Sequence, residues 1–216
     1  MSRLTLETVL SAYASGVFPM AESADADSVF WVDPQRRGII PLDKFHLPKR
    51  LARDIRASKF EVRIDTAFEA VIEGCAEPGL NRGSTWINET IREIFTELFE
   101  RNVAHSVECW QDGELVGGLY GISLGAAFFG ESMFTRVRDA SKIALTHLVA
   151  RLIHGNYVLL DTQFVTEHLS RFGAVEISRA AYHRQLARAM SSQADFYSLP
   201  TDISGADVVQ LVTHTS

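Results

Sequence analysis

The stretch that most constrains the fold is the centre of the chain, residues 104–155. HSVECW and ELVGGLYGI are apolar, strand-like runs separated by Gln-Asp-Gly. Asp112-Gly113 is a strong hairpin signal, because both residue types tolerate the left-handed backbone of a tight two-residue turn. AAFFGESMF supplies a third strand. ASKIALTHLVARLIH follows with helical spacing, with Asp139 or Ser141 as its cap and Gly155 as its stop. YVLLDTQF is an apolar strand, AVEIS another, and SRAAYHRQLARAM a last helix. Antiparallel strands followed by helix, strand and a final strand–helix pair predict an α+β fold, a mixed sheet flanked by helices.

The flanks divide the chain. LTLETVLSAYAS (residues 4–15) is helical in pattern and Gly16 ends it, while FWVDPQRRG is extended or turn-like around Pro34. Residues 1–38 are read as a small N-terminal unit, too short for a core of its own. Residues 39–200 are the main domain, and 201–216 a weakly structured tail. Within the main domain LPKRLARDIRAS is a basic helix, Asp65 is a candidate cap for the next, and Asn88 caps ETIREIFTELFER. There Ile91, Ile94, Phe95, Leu98 and Phe99 make the apolar stripe of a core-facing helix.

Composition narrows the function classes. The net charge is −6, so the surface as a whole does not advertise nucleic-acid binding. Yet Lys44, Lys49, Arg50, Arg53, Arg56, Lys59 and Arg63 face only Asp43, Asp54 and Glu61, seven cations against three anions in one segment. That face suits a phosphate backbone, or is a solvated helix side. The two cysteines stand in no metal-like or redox spacing, which fits a reduced cytoplasm. MSRLTLETVL is no secretory signal, and no apolar run approaches the roughly 20 residues of a membrane helix.

Several chemistries lack their motif: there is no HExxH, G-x-S-x-G or Walker-type loop. The histidines are scattered, and His147 and His154 lack a third ligand, so no metal is expected. The element order is that of N-acetyltransferase-like acyltransferases. A coenzyme-A user of that fold needs a glycine-rich turn after its central strand to hold the pyrophosphate, and TRVRDASK has no glycine. Asp161 and Gln163 lie two apart in YVLLDTQF, on one face of a regular strand. They either terminate the strand or orient a nucleophile and a carbonyl. Glu131, set among Gly130, Phe129 and Met133, is either the rim of an apolar pocket or half of a salt bridge to Arg136, Arg138 or Lys142. Gly117, Gly118 and Gly121 thin the adjoining strand, room through which a ligand can approach the backbone. Trp86 in STWIN either stacks on a base or fills the core.

Taken together, SAYASGVFP, FEAVIEGCAE, STWIN, HSVECW, ELVGGLYGISLGAAFFGESMF, DASKIAL, LLDTQF and FGAVEI resemble the leucyl/phenylalanyl-tRNA–protein transferase family, in the family's order and over most of residues 10–185. The resemblance implies an N-acetyltransferase-like fold, and transfer of leucine, phenylalanine or methionine from aminoacyl-tRNA to proteins with N-terminal lysine or arginine, marking them for degradation. It implies a catalytic pair, Asp161 and Gln163, at the reacting ester. It places Glu131, with Ser132, at the aminoacyl-adenosine end, and the amino-acid side chain among Leu119, Phe128, Met133, Leu145, Leu148 and Leu160. For Phe128 and Met133 to share one pocket, the strand needs a bulge near Gly130.

In many members the residue matching Trp86 sandwiches the terminal adenine with a second tryptophan, whose position here is Met20. Thr166 stands where some members carry asparagine. Lys49, Arg50, Arg53 and Arg56 are the candidate contacts to the tRNA backbone. No cofactor, no metal and no membrane are expected, and the protein is expected to be a cytoplasmic monomer. The alternatives are a transferase with another acceptor and a non-catalytic module that binds tRNA ends or N-terminal degrons.

Overall fold

The computed structural model describes residues 4–26, 28–77 and 85–213. The outermost three residues of the expected N-terminal unit and of the expected tail, Asp27, and Ser84 of STWIN lie outside them.

Helix α1 (Leu6–Ala14) begins where the Thr5 hydroxyl accepts from the Thr8 N–H, and stops as Gly16 takes φ +83°. Strands β1 (Phe18–Met20) and β2 (Phe30–Val32) pair into a small antiparallel ribbon. The chain then enters the main sheet directly as β3 (Arg36–Ile39), followed by α2 (Lys49–Arg56), β4 (Glu61–Ile64), α3 (Phe68–Ala76) and α4 (Glu89–Glu100). The expected hairpin is β5 (Ala104–Gln111) and β6 (Glu114–Leu124), with Asp112 at φ +53° and Gly113 at φ +81°. Strand β7 (Ala127–Thr135), α5 (Ala140–His154), β8 (Leu159–Gln163), α6 (Glu167–Ser170), β9 (Val175–Ser178), α7 (Arg179–Met190) and α8 (Gly205–Thr213) complete the described chain. None of the described helices is long and apolar enough to cross a membrane.

The seven-stranded sheet runs β4-β5-β6-β7-β8-β3-β9. All neighbours are antiparallel except β7 and β8, which are parallel and joined through α5. One face is covered by α2, α5 and α8, through Leu51, Ile55, Leu148 and Val209. The other is covered by α1, α3, α4 and α7, through Val9, Val71, Phe95 and Tyr182. This is the mixed α+β arrangement the element order predicts.

Three local expectations need correcting. Asp65 does not cap α3. At φ +57° its carboxylate turns to β5, where it accepts from the Ser106 N–H at 2.6 Å and sits 2.8 Å from His105 Nδ1. The amides leading into α3, those of Thr66 and Ala67, donate instead to buried Glu108, each at 2.8 Å. The segment read as a weakly structured tail forms α8, with Val208, Val209 and Val212 buried in the core. The glycines of β6 do not make room for a ligand either. A Cβ on Gly121 would lie 2.2 Å from the Phe129 carbonyl oxygen, and one on Gly117 would lie 2.5 Å from the Ala140 methyl. These glycines admit the protein's own β7 backbone and the start of α5.

Candidate active site

The site arises because the β7–β8 ladder stops early. Their parallel pairing runs from Ala127–Leu159 to Phe129–Asp161 and no further. Beyond it β7 continues along β6, whereas β8 turns to pair with β3, Gln163 opposite Gly38. Between the parting strands lies a cavity of about 910 Å³.

The expected bulge is present. Tyr120 pairs with Ser132 and the next β6 residue, Gly121, with Gly130, so Glu131 is the extra, unpaired residue of β7. A regular strand would place Phe129 and Met133 on one face. The bulge instead puts Met133 with the α5 side of the sheet and Phe129 with the α1 side. It also turns Glu131 into the cavity, where the Gln163 Nε2 donates to Glu131 Oε1 at 3.4 Å.

The apolar part of the cavity is made by Leu119, Met133, Leu145, Leu148 and Leu160, all expected there, and its rim includes Met20, Trp86 and Ser132. Phe128 does not line it. Fully buried behind the wall, its ring stacks on Phe196 with centroids 5.7 Å apart. Thr166 reaches the rim as the cap of α6, its hydroxyl accepting from the Leu169 N–H.

Asp161 and Gln163 do not act from one face. The Asp161 carboxylate is fully buried and does not line the cavity. It receives Arg37 Nε at 2.9 Å and Nη2 at 2.6 Å, the Tyr182 hydroxyl at 2.7 Å, and the backbone N–H of Gln163 at 2.8 Å. The Arg37 guanidinium lies between the rings of Phe18 and Tyr182, 4.4 and 4.5 Å from their centroids, and donates to the Gly16 carbonyl. Gln163 takes φ +56°, an unfavourable backbone for a side chain with a Cβ. The hydrogen bond from its amide to Asp161 holds that turn, which swings the Gln163 side chain out to face Glu131.

Glu131 finds none of the three cations proposed from spacing. Arg136 pairs with Glu77, and Lys142 and Arg138 pair with Asp139. Burial raises the Glu131 carboxyl to about 8; Asp161 adds to the rise, while the Tyr13 hydroxyl and Arg37 oppose it. Tyr13 is close enough to interact but makes no well-aligned hydrogen bond. With no cation paired to it among the described residues, Glu131 is held mainly as the protonated acid at neutral pH.

Of the basic helix, Lys49, Arg50, Arg53 and Arg56 are all exposed on α2 and none lines the cavity. Arg50 reaches Asp139 at 2.5 Å, at the cavity's edge. Sequence reasoning missed Arg37, Tyr182 and Tyr13, which come from three separate elements. The only signal for Arg37 was indirect, since carboxylates as deep as Asp161 require a cation.

The family model for the leucyl/phenylalanyl-tRNA protein transferases matches residues 39–187, and that for their N-terminal domain residues 2–35. A curated leucyl/phenylalanyl-tRNA–protein transferase of Paramagnetospirillum magneticum is 63% identical over 91% of this chain and 94% of its own length. One from Caulobacter vibrioides is 55% identical over 98% of both chains, and one from Phenylobacterium zucineum 55% over the whole of both. The residues that shape the cavity lie inside these matched spans, and the chain belongs to the leucyl/phenylalanyl-tRNA protein transferase family.

Proposed function

We propose that the protein transfers leucine or phenylalanine, and also methionine, from aminoacyl-tRNA to the N-terminal lysine or arginine of proteins, marking them for degradation in the cytoplasm. The observation that carries this reading is the pairing of an apolar, leucine- and methionine-lined cavity with Glu131 and Gln163 facing each other in it. Such a cavity takes a flexible uncharged side chain, and methionine lets it adapt to both leucine and phenylalanine. The N-acetyltransferase likeness and the catalytic unit at 39–200 belong to the same proposal.

Amide formation from an aminoacyl ester is downhill, so the chain's task is to hold two substrates and steady the oxyanion. The acceptor's α-amine attacks the ester carbonyl carbon. As the carbon–oxygen bond to the ribose breaks, the proton lost by the amine is balanced by one gained by the ribose oxygen. Gln163 accepts a hydrogen bond from the attacking amine, and Glu131 meets the donor's own α-amino group or a ribose hydroxyl. Asp161, sealed from the cavity, is a positioning residue: it fixes the Gln163 backbone. Trp86 stacks on the terminal adenine, with Met20 as an apolar rather than aromatic partner.

The test mixes the protein with labelled leucyl-tRNA and peptides that differ only in their first residue. Label on Lys- and Arg-starting peptides is expected. Its absence there would sink the proposal, and label on acidic starts would assign another acceptor class.

A further inference from the structure

One end of the cavity carries features that neither the amino-acid pocket nor the Glu131–Gln163 pair uses. Helix α5 begins there, with Ala140 fully buried and Ser141 only 6% exposed. A buried helix start needs partners for its first amides. The Ala140 N–H donates to the Val137 carbonyl at 3.1 Å and that of Ile143 to the Asp139 carbonyl at 3.0 Å. Among the described residues no acceptor serves the N–H groups of Ser141 and Lys142.

The residue placed to cap the helix does not do so. Asp139 stands at φ +71° and its side chain makes no capping bond. Its carboxylate instead meets Arg50 at 2.5 Å, Lys142 at 2.6 Å and Arg138 at 3.6 Å. Burial alone would raise that carboxyl, but Lys142 and Arg50 outweigh it and hold it below its ordinary range. One anion against three cations leaves a local surplus of two positive charges beside an uncapped, positively polarised helix end. The Ser141 hydroxyl, on a residue more than nine-tenths buried that lines the cavity, has no hydrogen-bond partner among the described residues. Arg138, Asp139 and Lys142 line the same end.

We infer that this is a phosphate cradle: the Ser141 hydroxyl and the amides of Ser141 and Lys142 hold a phosphodiester of the tRNA acceptor end, with Arg138 and Lys142 as its counter-charge. This rests on the proposed donor, aminoacyl-tRNA. An acceptor protein brings a cationic N-terminus, which this end of the cavity repels. Arg50 links the cradle to the exposed cations of α2, so the positive surface runs from that helix into the cavity. The lack of a glycine turn in TRVRDASK disfavours a coenzyme-A pyrophosphate here. A single phosphate asks for less, two amides and a hydroxyl at a helix start.

The test compares two small donors for transfer to an Arg-starting peptide, leucyl-adenosine with a free 5′-hydroxyl and leucyl-adenosine carrying a 5′-methylphosphate diester. The wild-type protein should favour the diester by about tenfold or more in kcat/KM, the scale of charge-assisted hydrogen bonds. Ser141→Ala, checked for an unchanged melting temperature, should cut that preference to about threefold or less. Arg138→Ala should weaken the salt dependence of the preference. Equal kcat/KM for the two donors in the wild type would overturn the cradle, and so would a preference that survives Ser141→Ala intact. Leucyl-tRNA run alongside separates the failures. If it too gives no transfer, the proposed function fails; if it transfers while the small donors are used equally, only the cradle does.

Discussion

Arg37 and Asp161 meet in a two-pronged ion pair sealed from solvent, with Nε 2.9 Å from Oδ1, Nη2 2.6 Å from Oδ2, and both side chains at most 1% exposed. Removing the cation strands a buried carboxylate, which costs about 3–5 kcal/mol. Arg37→Ala is therefore expected to lose about that much stability in urea unfolding. Arg37→Lys keeps the charge but not the fork. Its kcat should fall more than its KM rises, because Asp161 acts through the Gln163 backbone and not on bound substrate. A variant with wild-type kcat would remove Asp161 from the positioning role.

Glu131 makes stability depend on pH in a direction opposite to most carboxylates. In the unfolded chain it ionises near 4.3, while in the fold it keeps its proton until about 8. Between these values the native state binds the extra proton, so its contribution to stability falls as pH rises through that window and levels off above 8. Glu131→Gln removes the penalty. Relative to wild type it should melt at the same temperature near pH 4 and roughly 10–20 °C higher at pH 8.5, from up to about 5 kcal/mol. Thermal melts at both pH values check this, and a difference that is the same at both would refute it.

In the proposed reaction Gln163 meets the attacking amine, so its loss should separate chemistry from binding. Gln163→Ala is expected to lower kcat by about 10²-fold, the usual scale for removing one well-placed hydrogen-bonding group. The Kd for leucyl-tRNA should change by less than about threefold. Comparable losses in both would return Gln163 to a purely structural role.

Much of this architecture was legible because it rests on local patterns. Asp112-Gly113 predicts its hairpin, and Asn88 caps α4 by accepting from the Ile91 N–H. The bulge near Gly130 comes instead from the family resemblance, through a shared pocket for Phe128 and Met133; the bulge is there, but Phe128 does not line the cavity. What failed were inferences about where polar side chains point. Asp161 and Gln163 share a face only in a regular strand, and the left-handed turn at Gln163 separates them. Its position before a helix suggests Asp65 as the cap, yet Glu108, 41 or 42 residues away in sequence, takes the amides there. Arg37 reaches Asp161 across 124 residues. No spacing rule spans such separations, and only the closed sheet brings the partners together.

The cations of α2 divide into two kinds. Arg50 is held by Asp139, whereas Arg53 and Arg56 are exposed on the last turn. Charge reversal at Arg53 and Arg56 is the cleaner test of tRNA binding, because Arg50→Glu would also release Asp139. The pair of reversals should weaken leucyl-tRNA binding at low salt and flatten the slope of log K against log salt by about one to two contacts. An unchanged slope in binding titrations would make this helix face merely solvated.

Gly205 decides whether α8 belongs to the folded domain or only leans on it. In a free helix, alanine in place of glycine is stabilising by roughly 0.5–1 kcal/mol. Here a Cβ at Gly205 would lie 2.1 Å from the Ile55 carbonyl oxygen and 2.8 Å from its carbonyl carbon, backbone that cannot swing aside. Either α8 or α2 must shift, and overpacking of this kind costs about 1–3 kcal/mol. The sign of the effect is thus the measurement: Gly205→Ala should lower the urea midpoint with little change in slope. A raised midpoint would mean that α8 is not packed on α2, and that the valines at 208, 209 and 212 add nothing to the core.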